Sequence, residues 1–275
     1  MDVSMKELSI EEIHSGTIEI IKRFINICET NKYTYFTAFG SLIGAVRHKG
    51  FIPWDDDFDV YMFREDYDRF ISYCIKHEKE LYPFKIYSRK NIKGYPYNIA
   101  RFCDMRYKLV SINSSNVDNM GMFIDIYPLD GAGNGKYIST KLFSAKNKVL
   151  ISLANKAGKN KLILPKSRIH QITYPVAYYV SKMIGLKRLL NLLEKQGKKY
   201  KIKDSNYIAN LVWTTCPTPL PKKWFSEIDE LKFEDITVSV PKGYKKLLTL
   251  IYGDYMKLPP EKDRRAQHEY KLYRK

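Results

Sequence analysis

The sequence predicts an α+β fold, a mixed sheet flanked by helices with a basic helical lobe or insertion. Three observations predict it. In the first 130 residues, short runs rich in aromatic and β-branched residues alternate with segments of helical apolar spacing, separated by Gly, Pro and Asn. The chain has 275 residues, 44% apolar and 14% aromatic, enough for one substantial core with a smaller lobe attached. Its net charge of +17 is concentrated: residues 131–203 hold 17 Lys or Arg against one acid, Glu194.

The elements follow in order. Ser9 is placed to cap a helix, with Glu12 closing a capping box. Ile13, Ile20, Ile21, Phe24, Ile25 and Ile27 continue an apolar face to about Glu29. Tyr33 to Phe39 reads as a strand running into a turn at Gly40-Ser41, and Leu42 to His48 as a short helix closed by Gly50. Phe58 to Met62 alternates as a second strand should, and Arg64 to His77 carries Tyr67, Phe70, Ile71 and Cys74 on one helical side. Phe84 to Tyr87, Tyr97 to Phe102 and Met122 to Tyr127 are further strands.

The character changes at Gly131-Ala132-Gly133-Asn134-Gly135. Residues 1–134 read as a core, 135–215 as a basic helical region and 216–275 as a C-terminal segment packing back on the core. The basic region has helical spacing in Leu142 to Leu153 and Val176 to Leu193, with Pro165 and Pro175 as breaks, predicting two to four helices. Ile236 to Val240 reads as a strand and Tyr244 to Tyr252 as a helix.

Composition also excludes. No run approaches the ~18 to 20 apolar residues of a membrane span, and Met1 to Glu7 lacks a signal-peptide design, so a cytoplasmic protein is expected. Cys28, Cys74, Cys103 and Cys216 are widely separated and read as reduced thiols, mostly in the core. No RNA-binding or helix-turn-helix signature accompanies the basic charge, so nucleic acid is not the expected partner. The basic region instead points to a polyanion such as an anionic membrane surface, with its apolar stretches, including Ile172 to Leu193, at the interface; a solvated helical lobe is the plainer reading.

Asp55, Asp56, Asp57 and Asp59 crowd into five positions, which suits neither strand nor helix because like charges repel. Side chains alternate along a strand, so Asp57 and Asp59 would share a face and offer hard oxygens to Mg²⁺ or Mn²⁺. A surface loop is the alternative. Gly40-Ser41 upstream, at a strand end entering a helix, adds a turn where backbone can approach a phosphate. Together these motifs resemble the signature of the nucleotidyltransferase fold. Asp125, set among Phe123, Ile124, Ile126 and Tyr127, is the candidate third carboxylate; an ion pair with Arg101 is the other reading. For Asp130 a turn-forming role stands beside a functional one.

The run from Phe39 to Asp59, GSLIGAVRHKGFIPWDDDFD after the Phe, closely resembles the LicD family of phosphotransferases. Phe123 to Gly131 is similar to the family's second motif, and Tyr252 to Pro260, with Arg264 and His268 beyond, to its C-terminal signature. The resemblance implies a nucleotidyltransferase-like fold, a divalent metal and transfer of phosphocholine from CDP-choline to a sugar of lipopolysaccharide, teichoic acid or capsule. The acceptor would be lipid-linked. Ribitol phosphate or phosphoethanolamine as the transferred group stays open, as does a nucleotidyltransferase acting on a small molecule; a non-enzymatic polyanion binder is the remaining rival. By motif, Asp57 and Asp59 would be metal ligands, Asp125 a third ligand or the base, and Asp55 a residue orienting them. Gly40 and Ser41 would grip phosphate, and Arg47, His48, Arg101, Arg264 and His268 could contact the donor. Trp54, Tyr61, Tyr97 and Tyr127 could stack on cytosine or cage a quaternary ammonium. Arg264 and His268, four apart, would share a helical face.

Overall fold

A computed structural model describes residues 6–111, 120–159, 161–162, 168–266 and 270–275. Helix α1 (Ile10–Asn31) opens on the expected capping box: Ser9 Oγ accepts from the Glu12 N–H at 3.3 Å, and the Glu12 carboxylate accepts from the Ser9 N–H at 2.8 Å. Then come β1 (Tyr35–Thr37), α2 (Phe39–Arg47), β2 (Asp59–Phe63), α3 (Arg64–Lys76), the short α4 (Glu78–Leu81), β3 (Phe84–Tyr87), β4 (Ala100–Asp104), β5 (Tyr107–Ser111) and β6 (Met122–Gly131). The basic segment forms α5 (Lys141–Ala157), α6 (Arg168–Ile184) and α7 (Leu186–Gly197). The chain returns through β7 (Tyr207–Ala209), β8 (Leu220–Pro221), the hairpin β9 (Ile228–Phe233) and β10 (Ile236–Pro241), α8 (Tyr244–Tyr252) and β11 (Tyr270–Arg274).

The main sheet runs β1-β2-β6-β4-β3, and β7 and β8 extend it from the end of β6. Its spine is β6, all ten residues of which are buried. Strands β2 and β6 are parallel and the other pairs antiparallel, giving the mixed sheet that the sequence predicts. One face carries Val60, Ile124, Ile126 and Phe102, which pack with Ile20 and Phe24 of α1 and Phe70 of α3. The opposite face carries Phe36, Tyr61, Tyr127 and Leu129, covered by Leu42 of α2 and Leu247 and Leu248 of α8. The register decides what else lies on that second face: Asp59 pairs with Asp125, and Asp125 with Arg101, so the three stand in one row across β2, β6 and β4.

Helices α5 and α7 enclose a small core of their own, Ile151, Ala154 and Ala157 against Leu189, Leu190 and Leu193. This lobe is tied to the sheet domain by polar bonds: Arg89 donates to Asn98 Oδ1 (2.7 Å) and Glu194 (3.1 Å), and Asn98 Nδ2 donates to the Leu190 carbonyl (3.0 Å). Within the basic region the chain rejoins the main sheet at β7. Cys28, Cys74 and Cys103 are buried and Cys216 is exposed.

Three expectations change. Pro175 does not break a helix but lies inside α6, which forgoes one backbone hydrogen bond there. Asp57 lies just before β2, which begins at Asp59, so strand alternation does not place it. Arg264 follows a short 3₁₀ turn after Pro259-Pro260 and is not on a helix; from Tyr270 the chain is strand β11, paired with β5. Prolines cannot continue a helical ladder, and β5 supplies an open edge for the terminal residues. His268 lies outside the described residues.

Candidate active site

The turn from β1 into α2 builds the site. Phe39 sits at φ +46°, left-handed and unfavourable for a bulky residue, held by its ring packing 5.0 Å from both Tyr61 and Tyr127. This turn binds both backbone groups of Asp59. The Ala38 N–H donates to the Asp59 carbonyl and the Asp59 N–H donates to buried Ser41 Oγ, each at 2.9 Å. Gly40 has a different partner: a Cβ there would lie 2.6 Å from Asp55 Oδ2, so only glycine lets that carboxylate settle on the turn. The N-cap residue of α2, Ala38, offers no side-chain bond to the first-turn amides, which have no intrahelical acceptor.

Asp55, Asp56 and Asp57 bring one carboxylate oxygen each within 4.8 Å of one another. Asp59 Oδ1 is buried without a hydrogen-bond partner. Burial, then the charges of Asp57, Asp125 and Asp55, push the Asp59 carboxyl well above the usual range, against a smaller opposing bond from Tyr127. An orphaned buried oxygen amid like charges is a donor set that a hard divalent cation satisfies. The loop's backbone is held from both ends of the chain. His14 Nε2 donates to the Asp55 carbonyl at 2.7 Å while its ring stacks on Phe51 at 4.2 Å, and the Tyr270 hydroxyl donates to the Asp56 carbonyl at 3.4 Å.

Asp125 makes the ion pair with Arg101, whose Nε donates to Oδ1 at 2.7 Å with both side chains nearly buried. The guanidinium lies 4.1 Å from the Phe123 ring centroid and 4.9 Å from that of Tyr97. Burial opposes its charge, but Asp125 holds its pKa well above the usual value. The Tyr127 hydroxyl donates to Asp125 Oδ2 at 3.4 Å. Asp130, by contrast, is a structural partner: Arg64 grips it with two bonds of 2.7 Å.

Four of the expected donor contacts gather on the other side of the acidic loop. Arg47 Nε donates to His48 Nε2 at 2.9 Å, which requires the His48 proton on Nδ1, and Arg47 also donates to the Tyr255 carbonyl at 2.8 Å. Burial and then Arg47 lower the His48 pKa. Arg264 donates to the Pro259 carbonyl at 2.9 Å and places its guanidinium 5.7 Å from the Trp54 ring, to which His48 stands edge-on at 6.4 Å. Arg264 is close enough to disfavour the Arg47 charge, after burial. Two cations so near each other suit an anion. The Tyr252 phenol, raised by burial and then by Asp59, Asp55 and Asp57, stands beside the same carboxylates.

The profile of the LicD/FKTN/FKRP nucleotidyltransferase domain matches residues 32–173. The lipopolysaccharide cholinephosphotransferase LicD of Haemophilus influenzae is 32% identical over 274 residues, spanning 98% of this chain and 99% of that one. The chain belongs to the LicD family. Uncharacterised proteins of Rickettsia typhi (35% identical, 27% of this chain and 25% of theirs) and Rickettsia prowazekii (38%, 22% and 20%) share shorter stretches. In this LicD-family chain Arg47, His48, Trp54 and Arg264 form one group, and Asp59, Asp125 and Arg101 stand in one row across the sheet, with Arg101 committed to Asp125. His14 and Tyr270 bond the acidic loop, Tyr252 feels its carboxylates, and Trp213 meets the Tyr97 and Tyr127 rings; the sequence marked none of these four as a site residue. His14 and Tyr270 lie far from the motifs in sequence. Tyr252 stood inside the C-terminal motif, and that was the one available signal.

Proposed function

We propose that this LicD-family chain is a Mg²⁺- or Mn²⁺-dependent phosphotransferase that moves phosphocholine from CDP-choline to a sugar hydroxyl of a cell-surface glycan and releases CMP. The observation that carries the reading is a cluster of carboxylates in which Asp59 Oδ1 is buried without a hydrogen-bond partner, present in one chain with the Arg47-His48-Trp54-Arg264 group. The name of the Haemophilus influenzae relative supports the choice of cholinephosphate and lipopolysaccharide.

In this reading Asp57 and Asp59 would hold the cation with help from Asp55 and Asp56, which leaves Asp125 free for proton transfer. When bound, such an ion neutralises phosphate charge in the transition state. Arg47, Arg264 and the positive N-terminal end of α2 hold the donor's phosphates, and Trp54 supports cytosine. The acceptor oxygen attacks the phosphorus of phosphocholine, the bond to the bridging oxygen breaks, and CMP leaves with that electron pair. The hydroxyl proton passes to Asp125, through the oxygen not bound by Arg101. His48, which accepts from Arg47 Nε, orients Arg47. For the choline group the best supported place is the half-buried pair Tyr97 and Trp213, 5.6 Å apart, with Tyr127 5.8 Å from Trp213, since a quaternary ammonium favours ring faces. The acceptor is lipid-linked, which puts the enzyme at the cytoplasmic membrane surface.

Asp59→Asn, compared with wild type for CMP release from CDP-choline with Mg²⁺ and an acceptor glycan, should be slower by roughly 10³-fold. Wild-type rates in the variant would refute the assignment. Pyrophosphate release from CTP with no CMP from CDP-choline would favour a nucleotidyltransferase instead.

A further inference from the structure

Helix α6 exposes an apolar stripe at helical spacing: Val176 (64% exposed), Tyr179 (61%), Val180 (42%) and Met183 (84%). Its spacing i, i+3, i+4, i+7 covers one face, which is open to solvent apart from the Tyr178 ring of the same helix, edge-on to Tyr179 at 5.5 Å. The sequence expectation ran from Ile172 to Leu193, but the structure divides that span. Leu189, Leu190 and Leu193 of α7 turn inward onto α5 and are spent on the lobe's own core. What α7 shows to solvent beside the end of the stripe is basic: Lys187 and Arg188, just past the Gly185 turn. Scattered exposed apolar residues are ordinary, whereas an aligned face of four is not.

We infer that this face of α6 seats the lobe on an anionic membrane surface, with the stripe entering the headgroup boundary and Lys187 and Arg188 meeting lipid phosphates. Charge complementarity selects that occupant: the segment that carries the stripe holds 17 basic residues and one acid, and a protein partner would need an equally acidic, apolar-centred surface. Among the described residues no helix is long and apolar enough to cross a membrane, so attachment through this face is peripheral. The inference gives the proposed lipid-linked acceptor its location, but stands on the α6 geometry rather than on the reaction.

The test is sedimentation of the full chain with vesicles of phosphatidylcholine alone or mixed with phosphatidylglycerol, at low and high salt. Wild type should bind the mixed vesicles, bind phosphatidylcholine far less, and be released by salt. The doubly substituted Val180→Glu, Met183→Glu chain should lose binding at least tenfold, and Lys187→Gln about fivefold, as expected for one basic side chain at such a surface. Both should keep the wild-type melting temperature, because these side chains touch solvent, and should still release CMP from CDP-choline with a water-soluble acceptor. A Tyr179→Trp chain should shift its fluorescence to the blue on the mixed vesicles. Absent wild-type binding, or equal binding by the glutamate variant, overturns the inference. So does a vesicle-free dimer that the glutamate substitutions dissociate, since the face would then meet a second copy. If neither wild type nor variant releases CMP yet vesicle binding behaves as stated, the reaction assigned above fails and the membrane face stands.

Discussion

Asp59 is the residue on which the site turns, and its position is a backbone matter. Its N–H ends on Ser41 Oγ and its carbonyl on the Ala38 N–H, so the β1–α2 turn sets where the carboxylate projects. Ser41→Ala would leave a buried N–H unpaired, costing about 1–3 kcal/mol. The expected outcome is a lower melting temperature together with a kcat loss of at least tenfold, measured by denaturation and CMP release; a stability loss with unchanged kcat would show that the bond only supports the fold. Trp213 makes a separate prediction. Trp213→Ala should raise KM for CDP-choline at least tenfold and leave kcat and the KM for CDP-ribitol within about threefold, because the ring's face is useful to a quaternary ammonium alone. Equal losses for both donors would remove the choline assignment from this side chain.

At the scale of elements, the lobe is held on the sheet domain by few contacts, and Glu194 of α7 is central to them. It faces Arg89 at 3.1 Å and Lys198 at 2.8 Å. Burial raises its pKa, but the bond to Lys198 and the charges of Lys198, Arg89 and Arg64 outweigh it and lower the pKa from 4.5. A depressed carboxyl adds stability above its unfolded pKa and loses it as pH falls through the folded value. Thermal melts should therefore show wild type losing more stability than Glu194→Gln as pH drops below about 4.5. Parallel pH curves for the two chains would deny the ion pairs that role. The elements themselves were unevenly legible. The capping box of α1, the amphipathic spacing of α3 and the alternation around Asp59 are local patterns. The pairing of β5 with β11 joins residues far apart in the chain, and α6 runs through Pro175; neither leaves a short-range signature.

For the whole molecule, crowding carboxylates around buried Asp59 carries an electrostatic cost. Four carboxylates face Asp59 or lie within one loop, and a buried oxygen has no partner. Removing the charge should help the fold while harming the reaction: Asp59→Asn is expected to melt above wild type at pH 7 without metal and to lose activity. Mn²⁺ or Mg²⁺ at a hundredfold excess over its dissociation constant should stabilise wild type by about 2.7 kcal/mol, several degrees, with little effect on Asp59→Asn. A thermal-shift assay checks both. Equal shifts in the two chains would show that the ion binds elsewhere.

The sequence by itself determined the α+β class, the capping of α1, a strand leading into a helix near Gly40-Ser41, and the cluster of aspartates, because these depend on neighbours a few residues apart; it put the start of that helix at Leu42, whereas α2 begins at Phe39 and takes in Gly40 and Ser41. It also carried the family, through three motifs in order. Only the tertiary structure decided which groups meet. The register of β2, β6 and β4 put Asp59, Asp125 and Arg101 in one row and made Arg101 an ion-pair partner. Packing of both ends of the chain on the acidic loop brought in His14 and Tyr270. Folding of the lobe turned the α7 leucines inward and left the α6 stripe outside. Each of these depends on which surfaces are buried together, and local spacing carries no record of that.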